Sequence, residues 1–186
     1  MKRRAFGLLL IVVGAVGLMQ GGWIWAKAQL AQVLLEDAWS RTLEGSGPAK
    51  PWPWADTWPV ARLRVPAHDA DLVVLAGASG EALAFGPGRV DGSAEPGARG
   101  NVVISGHRDT HFRFLEKVKR DDIVYLEDAR GDVHAYRITG AEVVDARSSR
   151  IRLGGDDARL TLVTCWPFDA VVPGGPLRYV VHGEKR

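Results

Sequence analysis

From Pro59 onward, Gly, Pro, Asp and Asn punctuate the chain so often that only short elements fit between them. The intervening runs are β-type: "VARLRV", "DLVVLA", "NVVIS", "DIVYLE", "VHAYRITGAEVVD", "RLTLVTC" and "LRYVVHG". About seven or eight short strands, with one brief helical candidate around Phe112–Val118, argue for a mainly β domain, either a barrel or a sandwich. No internal repeat, metal-spaced His/Cys set or phosphate-cradling glycine loop accompanies them.

The N-terminal part follows other rules. Lys2, Arg3 and Arg4 precede an uncharged run from Ala5 to Ala26. As a helix, about 22 such residues extend roughly 33 Å, enough to cross a bilayer. The basic flank then predicts a cytoplasmic N-terminus and an extracytoplasmic domain at the cell membrane, with Trp23 and Trp25 at the outer interface. The alternative is a cleaved secretory signal at Ala26-Lys27-Ala28, although the run exceeds the h-region of about 7–15 residues usual for one. The expected organisation is a basic flank and transmembrane anchor over residues 1–26 and a linking segment over 27–58. The β domain takes 59–186. Within the link, Leu30, Val33, Leu34 and Ala38 have helical spacing, with Gly45 as a stop. Residues 44–59 then carry four prolines and three tryptophans, a composition that fits a stiff linker.

Formal net charge is +2, and Lys2, Arg3 and Arg4 supply +3 of it, which leaves residues 27–186 at −1. No basic patch for nucleic acid is implied. The chain has one cysteine, so no intramolecular disulfide staples the fold.

That cysteine, Cys165, ends the strand-like run "RLTLVTC", and Pro167 forbids further ladder pairing beyond it. His107 holds the equivalent place after "NVVIS", in a glycine-flanked turn. Strand ends combine a rigid frame with access to substrate. A thiol of pKa about 8.5 beside an imidazole of about 6.5 can give up or share its proton and become a nucleophile. Attack on a carbonyl also needs donors for the developing oxyanion. Arg178 in "GGPLRYVVHG" is a candidate, because alternation turns it away from the face shared by Leu177 and Tyr179.

Together these segments resemble the sortases. "TLVTC" resembles their cysteine signature, "GNVVISGHRDTHF" their histidine segment and "LRYVV" their arginine strand, in the same order and covering roughly residues 59–183. The longer segments "TLVTCWPFDAVVPGGPLRYVV" and "GHRDTHF" look most like the sortases of Gram-negative bacteria. The resemblance implies a closed β-barrel of about eight strands with short helices. It also implies a membrane-anchored cysteine transpeptidase that cuts a Leu-Pro-x-Thr-Gly-type C-terminal sorting signal between Thr and Gly, with no cofactor. The partners it implies are a substrate protein carrying that signal, a single dedicated one as in the single-substrate sortases, and an amine acceptor or water. Cys165 is then the nucleophile, His107 the acid/base group and Arg178 the group that steadies substrate or oxyanion. The Trp166 backbone N–H is a further oxyanion candidate.

Ser105, Thr164 and Trp166 are the expected substrate contacts, while Thr161, Leu162 and Val163 read as strand and core. Asp109 is an orienting partner for His107 or a turn residue, and His111 is a loop residue. His68, His134 and His182 have no partner that the sequence names. The competing readings are a membrane-tethered β-barrel binding module with a structural thiol and another exported cysteine acyl transferase. The order His107, Cys165, Arg178 disfavours the latter.

Overall fold

In the first strand of the β domain, β1 (Pro59–Val65), every second residue is buried, so Ala61, Leu63 and Val65 face inward and Arg62 and Arg64 outward. Seven further strands follow, β2 (Ala70–Ala76), β3 (Gly88–Arg89), β4 (Gly100–Ser105), β5 (Ile123–Asp128), β6 (Val133–Asp145), β7 (Ala158–Cys165) and β8 (Leu177–Lys185), of which β5 shows the same strict alternation of burial. This computed structural model describes residues 2–45, 47–172 and 174–186, apart from the side chains of residues 2–6, 8, 9 and 11–13.

The strands close into a barrel in the order β1-β2-β3-β4-β7-β8-β6-β5. Pairing is parallel at β2–β3 and β4–β7 and antiparallel elsewhere. Closure leaves no sheet edge exposed. The interior is filled by Val102, Ile104, Leu126, Ile138, Leu160, Leu162 and Val181, with Phe112 and Leu115 packed among them. Each such side chain contributes about 1.5–3 kcal/mol by leaving water. Phe112 and Leu115 come from the expected helical stretch, which forms a short 3-10 turn at Arg113–Glu116.

Helix α1 (Lys2–Leu43) runs unbroken past residue 26 and ends just before Gly45, whose φ of 83° reverses the chain. Its last turns lay Leu35 and Trp39 on Val73 and Leu75, the outward side chains of β2. Gln32 Nε2 donates to Phe85 O at 2.8 Å, and Arg62 reaches Glu36 at 2.9 Å. The proline-rich linker is divided in its contacts. Trp52 meets Phe85 edge-on at 5.0 Å, whereas Trp54 is exposed.

The expectation of a membrane-spanning helix, and of the localisation drawn from it, is corrected. Among the described residues no helix is long and apolar enough to cross a membrane. Along that part of α1, four glycines (14, 17, 21 and 22) and the polar Gln20, Lys27, Gln29 and Gln32 dilute the apolar residues. The basic flank Lys2, Arg3 and Arg4 lies outside the described side chains.

Candidate active site

Barrel order brings together three strand ends that are far apart in sequence. β4 and β7 run parallel with Ser105 opposite Val163, so both strands finish at the same rim. β8 starts there, antiparallel to β7, with Arg178 directly opposite Cys165. Directly opposed residues share a face. Since Leu160, Leu162 and Thr164 are buried inside the barrel, period-two alternation places Cys165, Val163 and Thr161 outside, with Arg178, Val180 and His182 beside them.

His107 follows β4 by two residues, and the turn carrying it is tied to β7. The Gly106 N–H donates to Val163 O at 3.0 Å, and Thr164 Oγ1 donates to Gly106 O at 2.8 Å. Only glycine fits at 106, because a Cβ there would sit 2.8 Å from Phe112 Cγ. Phe112 in turn closes the loop by donating its N–H to His107 O at 3.0 Å.

Arg178 is steadied by the loop it follows, its Nη1 donating to Gly175 O at 2.7 Å and Leu177 O at 2.9 Å. Its Nε and Nη2 have no protein acceptor among the described residues, which leaves donors facing the Cys165 side of the sheet.

An open groove of about 1120 Å³ lies over the outer face of β4, β7, β8 and β6. Ser105, Val163, Val180 and Arg178 belong to its floor, and Ile151 to Leu153 of the β6–β7 connection to its wall. Arg178 lines it while Cys165 and His107 do not, and Arg178 is the cross-strand neighbour of Cys165. An extended peptide laid along such a groove would arrive at the thiol.

Of the expected contacts, Ser105 lies in this groove, and so do Thr161 and Val163, which the sequence reading assigned to strand and core. Thr164 does not: it points into the barrel and its hydroxyl serves Gly106. Trp166 is an anchor of the chain after the thiol. Its ring stacks on Tyr179 at 5.5 Å and meets Phe168 edge-on at 5.6 Å, and its N–H already donates to Leu177 O at 3.1 Å. That pairing takes away the oxyanion donor expected there. Asp109 accepts from Arg108 Nε at 3.1 Å and so serves Arg108, with no bond to His107.

Two residues that the sequence reading passed over organise the site. Asn101, buried on β4, pins the groove wall: its N–H donates to Leu153 O at 2.8 Å and its Nδ2 to Arg152 O at 2.9 Å, while Thr161 Oγ1 donates to its Oδ1 at 3.0 Å. An amide amid the apolar run "NVVIS" was the available signal. Arg108 is buried beside His107, and nothing local in the sequence marks it.

The remaining histidines acquire roles or partners. Burial foremost, and then the nearby charge of His107, lower the pKa of His111 below the usual imidazole value. His68 pairs with Asp122 at 2.7 Å, His134 with Asp128 at 3.1 Å and His182 with Glu142 at 3.0 Å. Among the described residues no three His, Cys, Asp or Glu side chains converge as metal ligands.

The fold and the rim thus define a closed eight-stranded barrel with a cysteine, a histidine and an arginine at adjoining strand ends. The sortase domain family matches residues 63–186, and the chain belongs to that family. Sortase D of Bacillus subtilis is 33% identical over 124 residues, a match covering 66% of this chain and 62% of that protein. A Clostridium perfringens sortase D5 transpeptidase superposes with a TM-score of 0.69 at 19% identity, covering 85% of this chain and 99% of that one. A Clostridium perfringens sortase C, solved with the C-terminal cell wall sorting motif, superposes with a TM-score of 0.61 at 20% identity, covering 87% and 90%. The narrower likeness to sortases of Gram-negative bacteria is not borne out by these relatives.

Proposed function

We propose that this chain is a cysteine transpeptidase acting on a C-terminal sorting signal of the Leu-Pro-x-Thr-Gly type. The observation that carries the reading is the direct cross-strand pairing of Cys165 with Arg178, a residue that lines the groove, next to the His107 turn. Membership of the sortase family supports it, as does the likeness in fold to a Clostridium perfringens sortase C solved with the C-terminal cell wall sorting motif.

In the proposed reaction the signal lies along the outer face of β7 and β8, with its Thr–Gly bond at Cys165. The thiolate Sγ attacks the threonine carbonyl carbon, and the carbonyl oxygen takes up negative charge. Arg178 donates to that oxyanion from Nε and Nη2, which have no acceptor among the described residues, while the carbonyls of Gly175 and Leu177 hold its Nη1. The tetrahedral adduct collapses by breaking the C–N bond, His107 gives its proton to the departing glycine amine, and a thioester remains on Cys165. An incoming amine then loses its proton to His107 and attacks the same carbonyl. Cys165 leaves as the thiolate. Water in place of the amine completes hydrolysis.

The test is cleavage and transfer by the full chain, using a panel of Leu-Pro-x-Thr-Gly-type peptides with triglycine as acceptor. The expected result is a Thr-terminated fragment, plus a Thr–triglycine product when acceptor is present. Both disappear in Cys165→Ala. Folded protein that yields neither across the panel would refute the reading.

A further inference from the structure

The chain on each side of His107 is stitched to the chain on each side of Cys165. On the N-terminal side the bonds are those of Gly106 to Val163 and Thr164. On the C-terminal side the link is the Arg108 side chain, which is 7% exposed. Its Nη1 donates to Pro167 O at 2.9 Å and its Nη2 to Ala170 O at 2.9 Å, while Nε is occupied by Asp109. Every nitrogen of the guanidinium therefore has an acceptor. A buried guanidinium stays charged, so its bonds are costly to leave unmade and its position is strongly determined.

The loop it grips has few other anchors. Phe168 packs into the core, but Val171 and Val172 beyond it are 95% and 77% exposed. Trp166, Gly175 and Pro176 are held from β8 and the end of β6, so the two carbonyl bonds from Arg108 are what tie the Pro167–Ala170 segment to the turn that carries His107. Two carbonyls three residues apart match a planar fork, whereas an ammonium on a flexible stem serves one acceptor at a time.

We propose that Arg108 is a positioning residue that sets the His107 imidazole against the Cys165 thiol by locking the loop after Cys165 to the turn that carries His107. The inference rests on the reading of Cys165 and His107 as a working pair. Gly106 and Thr164 fix one flank of the pair and Arg108 the other, so loss of Arg108 leaves the two groups hinged about a single point. Misplacement of this kind lowers the rate of a reaction more than it weakens substrate binding.

The test uses the full chain as wild type, Arg108→Lys, Arg108→Gln and His107→Ala. The first readout is the rate of Cys165 alkylation by iodoacetamide as a function of pH, which needs no peptide. The second is kcat and KM on the best cleaved peptide, with urea midpoints recorded for each protein. Wild type and His107→Ala should give distinct alkylation profiles, and both Arg108 variants should move toward that of His107→Ala. Their kcat should fall about tenfold or more with KM within about threefold.

Alkylation profiles of the folded Arg108 variants that overlay wild type, or a loss confined to KM, overturn the inference and leave the Cys165–His107 pair standing. Coincident wild-type and His107→Ala profiles refute the pair itself. Should neither Arg108 variant fold, Asp109→Ala removes the exposed partner of Nε and leaves the core untouched. A smaller shift in the same direction is expected there, and none overturns the inference.

Discussion

Asn101→Ala strips two side-chain hydrogen bonds from the groove wall at once. It removes the donor to Arg152 O and the acceptor for Thr161 Oγ1, while the backbone bond to Leu153 O survives. Thr161 is 2% exposed, and its hydroxyl would be left without its partner. Stranding one buried polar group costs about 1–3 kcal/mol, and a second lost bond adds about 1 kcal/mol. A loss near 3 kcal/mol corresponds to a fall in Tm of roughly 6–12 °C for a chain of this size. The assay is urea unfolding followed by tryptophan fluorescence, with amide exchange at residues 150–154 as the local probe. Exchange should accelerate at the wall more than in β7, and KM for the donor peptide should rise more than kcat falls.

The double variant Asn101→Ala/Thr161→Val is the decisive control. Valine removes the stranded hydroxyl, so the double variant should be less destabilised than the two single losses added together. Strict additivity, or Asn101→Ala with wild-type stability and unchanged exchange at the wall, would refute the clamp.

Other expectations follow from the same structure. Gly106→Ala forces its new methyl against Phe112 and should cost about 1–3 kcal/mol by overpacking, with kcat falling further than stability explains because His107 is the next residue; unchanged turnover contradicts this. Trp39→Ala should cost about 3–5 kcal/mol by emptying the contact of α1 with β2, and a urea midpoint equal to wild type contradicts the docking. Burial pushes the Asp128 carboxyl up, but hydrogen bonds from His134, Arg130 and the Asp132 N–H outweigh it and hold its pKa down at about 2. Its folded pKa thus lies below the ordinary 3.8, so its contribution is complete above about pH 4 and is lost as pH falls toward 2. Asp128→Asn should flatten stability across that window in acid titrations followed by circular dichroism, and an unchanged slope contradicts the assignment.

What the sequence disclosed depended on how local each feature is. Strand content, the place of Cys165 and His107 at strand ends and the outward turn of Arg178 all follow from period two and from turn residues. The same period, counted back from Cys165, puts Thr161 and Val163 outside and Thr164 inside. Assigning Thr164 to the groove overlooked that parity. The Trp166 N–H was out of reach for another reason: its acceptor, Leu177 O, depends on how β8 returns to β7.

Asn101 and Arg108 act through partners more than fifty residues away, mostly backbone carbonyls, which carry no sequence mark. The burial of Arg108 is likewise a product of the closed barrel and has no counterpart in the charge pattern. At the N-terminus the length of the uncharged run suggested a membrane span, whereas among the described residues no helix is long and apolar enough for one. The helix also continues beyond that run until Trp39 meets β2.

Whether Cys165 carries the acyl group is read directly by intact-mass measurement of the full chain after incubation with a Leu-Pro-x-Thr-Gly-type peptide and acid quench. A mass increase equal to the peptide acyl fragment ending in Thr, mapped to Cys165, is expected. It should be released by hydroxylamine as a thioester, be absent in Cys165→Ala and be strongly reduced in His107→Ala and Arg178→Ala. Cleavage that proceeds in Cys165→Ala, or an acyl group mapped to any other residue, would contradict the role of Cys165 as nucleophile.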